Sequence, residues 1–165
     1  MNRSYFKDKV IIITGASSGI GLASARLFGS LGAKVVMAAR HLDKLEAEAA
    51  SVNADLSKVL CVKTDVTKEE DCKALIEKTV EKFGGIDILV NNAGISMRAM
   101  FNDLDLSVIH SLMNVNFWGT VNCTKFALPW LLKSKGSVVG VISIAGYSAL
   151  PARTGYSASK YAIRG

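Results

Sequence analysis

Five short runs of β-branched and apolar residues recur along this chain, and longer amphipathic segments separate them. VIIIT (Val10–Thr14), KVVMAA (Lys34–Ala39), VLCVK (Val59–Lys63), IDILV (residues 86–90) and SVVGVIS (residues 137–143) read as strands. Each is apolar on both faces, which fits a sheet covered on both sides rather than one with a wet face. Strands that alternate with helices through short connections imply right-handed crossovers. The expected fold is therefore α/β, a doubly wound parallel sheet with five strands present. Ligands of such sheets bind outside the carboxyl ends of the strands, where the strand order reverses.

The intervening segments predict helices. Ile20, Ala23, Leu27, Phe28 and Leu31 fall on one helical face, with Gly32 as the stop. Residues 41–54 are rich in Ala, Leu and Glu, which favours helix. Cys72, Leu75, Ile76, Thr79, Val80 and Phe83 form a stripe, opened by a capping box from Thr67 to Glu70 and closed at Gly84. A longer helix is predicted over residues 106–132, with Pro129 perturbing its last turn. No repeat or linker interrupts the pattern, so residues 1–165 read as a single domain.

Composition narrows the function classes. Half the residues are hydrophobic and only two are proline, which excludes a disordered chain. Cys61, Cys72 and Cys123 are odd in number and form no CxxC. That argues against a disulfide framework and zinc, suits a reducing cytoplasm, and leaves core packing as the role of Cys72. His41 and His110 offer little for a metal. The polar start, MNRSYFKDKV, is no secretory signal, and no apolar run approaches the roughly 18 residues of a membrane span. The net charge of +6 is spread singly among acids, without a basic run or interleaved aromatics. A solvated surface with one anionic ligand is expected, and neither nucleic acid nor membrane as a partner.

The first strand runs straight into TGASSGIG. Gly15 permits a tight exit from the strand, Gly19 lets backbone approach a pyrophosphate, and Gly21 allows close helix-strand packing. Free N–H groups and the helix dipole there favour an anion. The spacing GxxxGxG departs from GxGxxG, and a ligand-free glycine turn is the plain alternative. A strand before and an amphipathic helix after favour a dinucleotide. The second strand ends in Ala39 and Arg40, without the acid that accepts from the ribose hydroxyl in NAD-binding units; the first acid, Asp43, lies beyond. Arg40 suits a 2'-phosphate through its planar fork, with Ser17 and Ser18 as further donors. The expected cofactor is NADP (NADPH) rather than NAD, although Arg40 also reads as a solvated residue at a helix start.

Near the end of the chain, Tyr156 and Lys160 stand four apart and share a helix face. A neighbouring ammonium favours the phenolate, which makes Tyr156 a candidate general acid and base. Taken alone, the pair is also an ordinary helix start. Ser143 ends the fifth strand, where its hydroxyl can bond a carbonyl. Asn116 falls on the apolar face of the long helix, where a buried amide needs partners, either backbone or a site.

These motifs, in this order, resemble the short-chain dehydrogenase/reductase family over essentially the whole chain. TGASSGIG is similar to that family's cofactor turn, TDV (Thr64 to Val66) to its adenine contact, and NNAG (Asn91 to Gly94) to its sheet-stabilising motif. NVN, a serine after the fifth strand and YSASK complete the likeness. The resemblance implies a Rossmann fold and an NADP-dependent oxidoreductase acting on a carbonyl or alcohol. Cofactor contacts are implied at Gly15, Ser17, Ser18, Gly19, Ile20, Gly21 and Arg40, at Asp65 and Val66, and at Asn92, Ala93 and Gly94. It further implies a tetrad of Asn116, Ser143, Tyr156 and Lys160. Tyr156 exchanges the proton, Ser143 orients the carbonyl, Lys160 holds the nicotinamide ribose and lowers the tyrosine's pKa, and Asn116 seats a water. Around Ser143 and Leu150 the chain also resembles the branch that includes hydroxysteroid dehydrogenases, too generally to name a substrate. Met97, Met100, Phe101, Ile144, Tyr147 and Leu150 flank the expected site and point to an apolar compound. The family fold continues beyond YxxxK with two more strands and a substrate-covering segment. The expectation is therefore the first part of a longer, homo-oligomeric protein, or a truncated product. A non-catalytic dinucleotide-binding module or an inactive fragment is the alternative.

Overall fold

The computed structural model describes residues 3–165. Met1 and Asn2, at the start of the polar segment read as no secretory signal, lie outside the described residues. Strands β1 (Val10–Thr14), β2 (Lys34–Ala39), β3 (Val59–Lys63), β4 (Ile88–Asn91) and β5 (Ser137–Gly140) form one parallel sheet in the order β3-β2-β1-β4-β5. Chain order runs one way from β1 to β3 and resumes on the other side with β4. The switch point thus lies between β1 and β4. The register sets Ile12 beside Val36 on one side and Leu89 on the other.

Because side chains alternate across a strand, the sheet sorts its apolar residues into two layers. Ile12, Val36 and Leu89 face α3 (Glu69–Phe83) and α5 (Gly119–Ser134), packing with Leu75, Cys123 and Ala127. Ile11, Ile13, Val35 and Met37 face α1 (Gly19–Ser30) and α2 (Leu42–Val52), packing with Ala25 and Leu45. The doubly wound parallel sheet expected from the strand-helix alternation is the observed architecture.

Several local expectations differ. The face of α1 that packs inward is Gly21, Ala25 and Gly29, whereas Ile20 and Leu27 are 68% and 56% exposed. A Cβ built on Gly29 would lie 2.0 Å from the Val52 carbonyl oxygen. Only a stripe of minimal side chains lets α1 approach the end of α2 so closely. Phe28, from the expected face, does pack against the core.

The stripe on α3 packs as expected, and Gly84 ends it in the left-handed conformation at φ 82°. The capping box does not form. The N-cap is Lys68, the Thr67 hydroxyl donates to Asp65 Oδ1 at 2.8 Å, and Asp71 reaches back to accept from the Asp65 N–H at 2.8 Å. The Thr67 N–H that Glu70 was expected to accept goes instead to Asp65 Oδ1 at 3.1 Å.

Strand β4 begins at Ile88, just after Asp87. Its carboxylate takes the Lys9 ammonium at 2.7 Å and the Val10 N–H at 2.9 Å, tying the starts of two strands together. Strand β5 is shorter than predicted and lies at the sheet edge. All four of its residues are exposed, so cover on both sides does not extend to it. The predicted long helix is α4 (Leu106–Leu112), a π-helical turn (Met113–Trp118) and α5 in sequence, with Pro129 inside α5. Cys72 and Cys123 are buried thiols with sulfurs 3.5 Å apart, facing each other from α3 and α5. The neighbouring thiol and burial push Cys123 far above the ordinary thiol range.

Candidate functional site

The turn after β1 is built around glycine backbone. Gly15 and Gly19 have φ of 66° and 55°, a region that a side chain disfavours. A Cβ on Gly21 would lie 2.4 Å from the Gly15 carbonyl oxygen and 2.5 Å from Asn92 Nδ2, so α1 starts directly against the turn. A Cβ on Gly19 would meet nothing within 4 Å, which leaves its backbone open to an approaching ligand.

Asn92 braces this turn from β4. Its Nδ2 donates to the Thr14 carbonyl at 2.9 Å and the Gly15 carbonyl at 3.3 Å. In return the buried Thr14 Oγ1 accepts the N–H groups of Asn92 and Ala93, each at 3.0 Å. The ends of β1 and β4 are thereby locked together at the switch point.

A cleft of about 420 Å³ follows the strand ends from β3 to β4. Ten of the expected cofactor residues line it: Gly15, Ser17, Ser18 and Ile20 from the turn, Arg40 beyond β2, Asp65 and Val66 beyond β3, and Asn92, Ala93 and Gly94 beyond β4. Gly19 and Gly21 shape the turn without lining the cleft. Ser18 and His41, the N-caps of α1 and α2, make no side-chain cap bond. Ser18, Arg40 and His41 are exposed. Asp65 spends one carboxylate oxygen on the Thr67 N–H and hydroxyl. Val66 packs tightly on α5, where a Cβ at Gly119 would lie 2.6 Å from Val66 Cγ2.

At the Gly94 end of the cleft two of the expected catalytic residues, Asn116 and Lys160, come together. A Cβ on Gly94 would lie 3.2 Å from Asn116 Oδ1 and 3.5 Å from Lys160 Nζ. Asn116, fully buried in the π-helical turn, accepts the Ile95 N–H at 2.8 Å. It donates to the Ile95 carbonyl at 3.0 Å and to Ser159 Oγ at 2.9 Å. Its side chain is committed to protein partners, and it fastens the segment after β4 to helix α6 (Thr154–Arg164).

Lys160 is 5% exposed, donates to the Val141 carbonyl at 2.8 Å, and lies 5.9 Å from the centroid of the Tyr156 ring. Burial lowers its pKa from the ordinary lysine value. Tyr156 is half-buried on the same helix. Ser143 heads a short 3-10 turn (Ile144–Gly146), and its oxygen accepts the Ala145 N–H at 3.2 Å, leaving its hydroxyl hydrogen to donate elsewhere. That turn packs hard on α6: a Cβ at Gly146 would lie 2.9 Å from the Lys160 carbonyl oxygen.

Sequence patterns missed Ser159, whose hydroxyl links Asn116 to the Tyr156 carbonyl at 2.8 Å, and Arg153, which contacts the segment after β4. For Ser159 the available signal was a hydroxyl one residue before a reactive lysine. For Thr14 it was a polar residue closing an apolar strand. Among the described residues no group of three metal-ligating side chains gathers, and no helix is long and apolar enough to cross a membrane.

Dehydrogenase/reductase SDR family protein 7-like from Dictyostelium discoideum is 43% identical over 169 residues, covering 98% of this chain and 54% of the relative. 11-beta-hydroxysteroid dehydrogenase-like 2 from Arabidopsis thaliana is 42% identical over 157 residues, covering 94% and 51%. The chain thus spans about half the length of these curated relatives. Among solved structures, an alcohol dehydrogenase from the archaeon Thermococcus sibiricus complexed with 5-hydroxy-NADP superposes with a TM-score of 0.92 at 31% identity. The match covers 96% of this chain and 68% of that one. A short chain dehydrogenase/reductase from Burkholderia phymatum in complex with NAD gives a TM-score of 0.91 at 31% identity, covering 96% and 57%. The family model for short chain dehydrogenases matches residues 9–165, from the base of β1 through the Tyr156 helix, and the chain belongs to that family.

Proposed function

We propose that this chain carries the cofactor-binding and proton-transfer part of a cytoplasmic, NADP-dependent oxidoreductase acting on an apolar carbonyl or alcohol compound. The observation that carries the proposal is one continuous cleft, with Arg40 toward one end and, at the other, Gly94 in contact range of Asn116 and Lys160. The open Gly19 backbone and the glycine turn fit a pyrophosphate, and Arg40 without a neighbouring acid fits a 2'-phosphate. Asp65, Asn92 and Ala93 would line the adenosine side.

When bound, the nicotinamide supplies or accepts the hydride. Everything else falls to side chains. Lys160 spends one of its three donors on Val141 and keeps two for ribose hydroxyls. Ser143 donates its free hydroxyl hydrogen to the carbonyl oxygen and orients it. Tyr156 delivers a proton to that oxygen from its phenol, and takes one in the reverse direction. Asn116 holds the segment after β4 in place so that these groups keep their spacing.

An apolar substrate is supported by the rim of the site. Met100, Phe101, Ile144 and Tyr147 are each at least 58% exposed, and Met97 and Leu150 are partly so. Relatives named as 11-beta-hydroxysteroid dehydrogenase-like point the same way. Two measurements test the proposal. Fluorescence titration should give a smaller Kd for NADPH than for NADH, and equal affinities would refute the cofactor preference. In the full-length protein that carries this chain, oxidation of NADPH should be saturable with apolar ketones or aldehydes, and failure across such a panel despite tight NADPH binding would favour a binding module.

A further inference from the structure

Arg153 stands where two walls of the site meet. It is the N-cap residue of α6, three positions before Tyr156. Its Nη1 donates to Ser96 Oγ at 2.7 Å and to the Met97 carbonyl at 3.4 Å, and its guanidinium lies 5.9 Å from the centroid of the Tyr156 ring. A second tie runs parallel to the first: the Ala99 N–H donates to the Ala152 carbonyl at 3.0 Å. Ala152 holds φ at 59°, a left-handed conformation that a non-glycine residue keeps only when its surroundings impose it. Arg153 has no carboxylate within ion-pair distance among the described residues, so this half-buried cation is not there to neutralise an acid.

The tethered segment, residues 95–99, follows directly on Gly94, and its first residue is the one bonded twice by Asn116. One end is therefore pinned by the π-helical turn and the other by Arg153 and Ala152. We infer that Arg153 is a positioning residue, a clasp that fixes residues 96–99 against the start of α6 and thereby holds the Tyr156 ring at its place beside Lys160. The catalytic half of this statement rests on the proton-transfer role proposed for Tyr156. Both bonds leave one nitrogen, Nη1, whose two N–H groups are fixed in direction by the guanidinium plane, a fixed geometry that a rotating ammonium lacks.

The clasp can be read without any turnover. Arg98 is exposed and precedes Ala99, whose N–H is bonded to Ala152, so trypsin attack at that bond reports release of the segment. The rate of cleavage after Arg98 is measured by mass spectrometry in the NADPH-bound wild type, Arg153→Met and Arg153→Lys, normalised to cleavage after the exposed Lys135. Arg153→Met should raise it at least tenfold, with Arg153→Lys in between. In parallel, kcat for carbonyl reduction should fall tenfold or more in Arg153→Met, while the Kd for NADPH stays within twofold. Unchanged cleavage after Arg98 overturns the clasp, and Arg153→Lys supplies this test if the Met variant does not fold. Faster cleavage with undiminished kcat overturns the positioning of Tyr156. With kcat read in the full-length protein that carries this chain, a wild type that binds NADPH yet reduces nothing refutes the proposed reaction, and cleavage still decides the clasp.

Discussion

Replacing Asn116 or Ser159 should weaken the fold as well as the chemistry, and by amounts that the hydrogen bonds allow one to estimate. Asn116→Ala removes three bonds at once: one from the Ile95 N–H, one to the Ile95 carbonyl and one to Ser159 Oγ. Ile95 is 37% exposed, so water can recover part of its backbone bonding. Each of those two bonds is then worth about 0.5–1.5 kcal/mol net. Ser159 is fully buried, and leaving its hydroxyl short of a partner costs about 1–3 kcal/mol. Asn116→Ala should therefore destabilise by about 2–6 kcal/mol. Ser159→Ala orphans a single Asn116 N–H and should cost about 1–2 kcal/mol. Because one bond is shared, the double variant should fall short of additivity by about 1 kcal/mol. Urea unfolding followed by tryptophan fluorescence measures all three. Single variants that each lie within about 0.5 kcal/mol of wild type would show that the network bears no weight.

Three further outcomes are expected. Arg40→Ala should weaken NADPH by about 1.5–3 kcal/mol through loss of a charge-assisted phosphate contact, and leave NADH nearly unaffected in the same titration. In the full-length protein that carries this chain, Tyr156→Phe should lower turnover by about 10²–10⁴-fold, with NADPH affinity retained because the proposed phosphate site is the glycine turn. Undiminished carbonyl reduction by that variant would remove Tyr156 from its role. Lys160→Met should change how stability depends on pH. Burial lowers the Lys160 pKa in the folded chain, so between that value and the ordinary lysine value the unfolded chain binds more protons. Wild type should then gain stability relative to Lys160→Met as pH rises toward about 10.4, and a difference independent of pH would refute the penalty on its charge.

Much of this molecule was legible one residue at a time. Strand identity came from runs such as VIIIT, since a buried parallel strand needs apolar side chains on both faces. The turn at Gly15 and Gly19 was legible because positive φ selects glycine, and the end of α3 at Gly84 for the same reason. Helical geometry put Tyr156 and Lys160 on one face, and the ordered motifs around them, from TGASSGIG to YSASK, singled the pair out.

What escaped the sequence depends on partners that lie far along the chain. The inward face of α1 was misjudged because apolar size is the wrong signal where two backbones nearly touch, as Gly29 and Val52 do. Ser159 meets Asn116 across 43 positions and Arg153 meets Ser96 across 57, and no local pattern encodes either meeting. Local sterics and periodicity acted on each segment by itself and determined the elements and the places of the candidate side chains on them. Which hydroxyl, guanidinium and carbonyl hold those side chains in place was decided only when the sheet brought the end of β4, the π-helical turn and α6 together. Hydrogen bonds of that kind act over about 3 Å of space and are indifferent to separation in sequence.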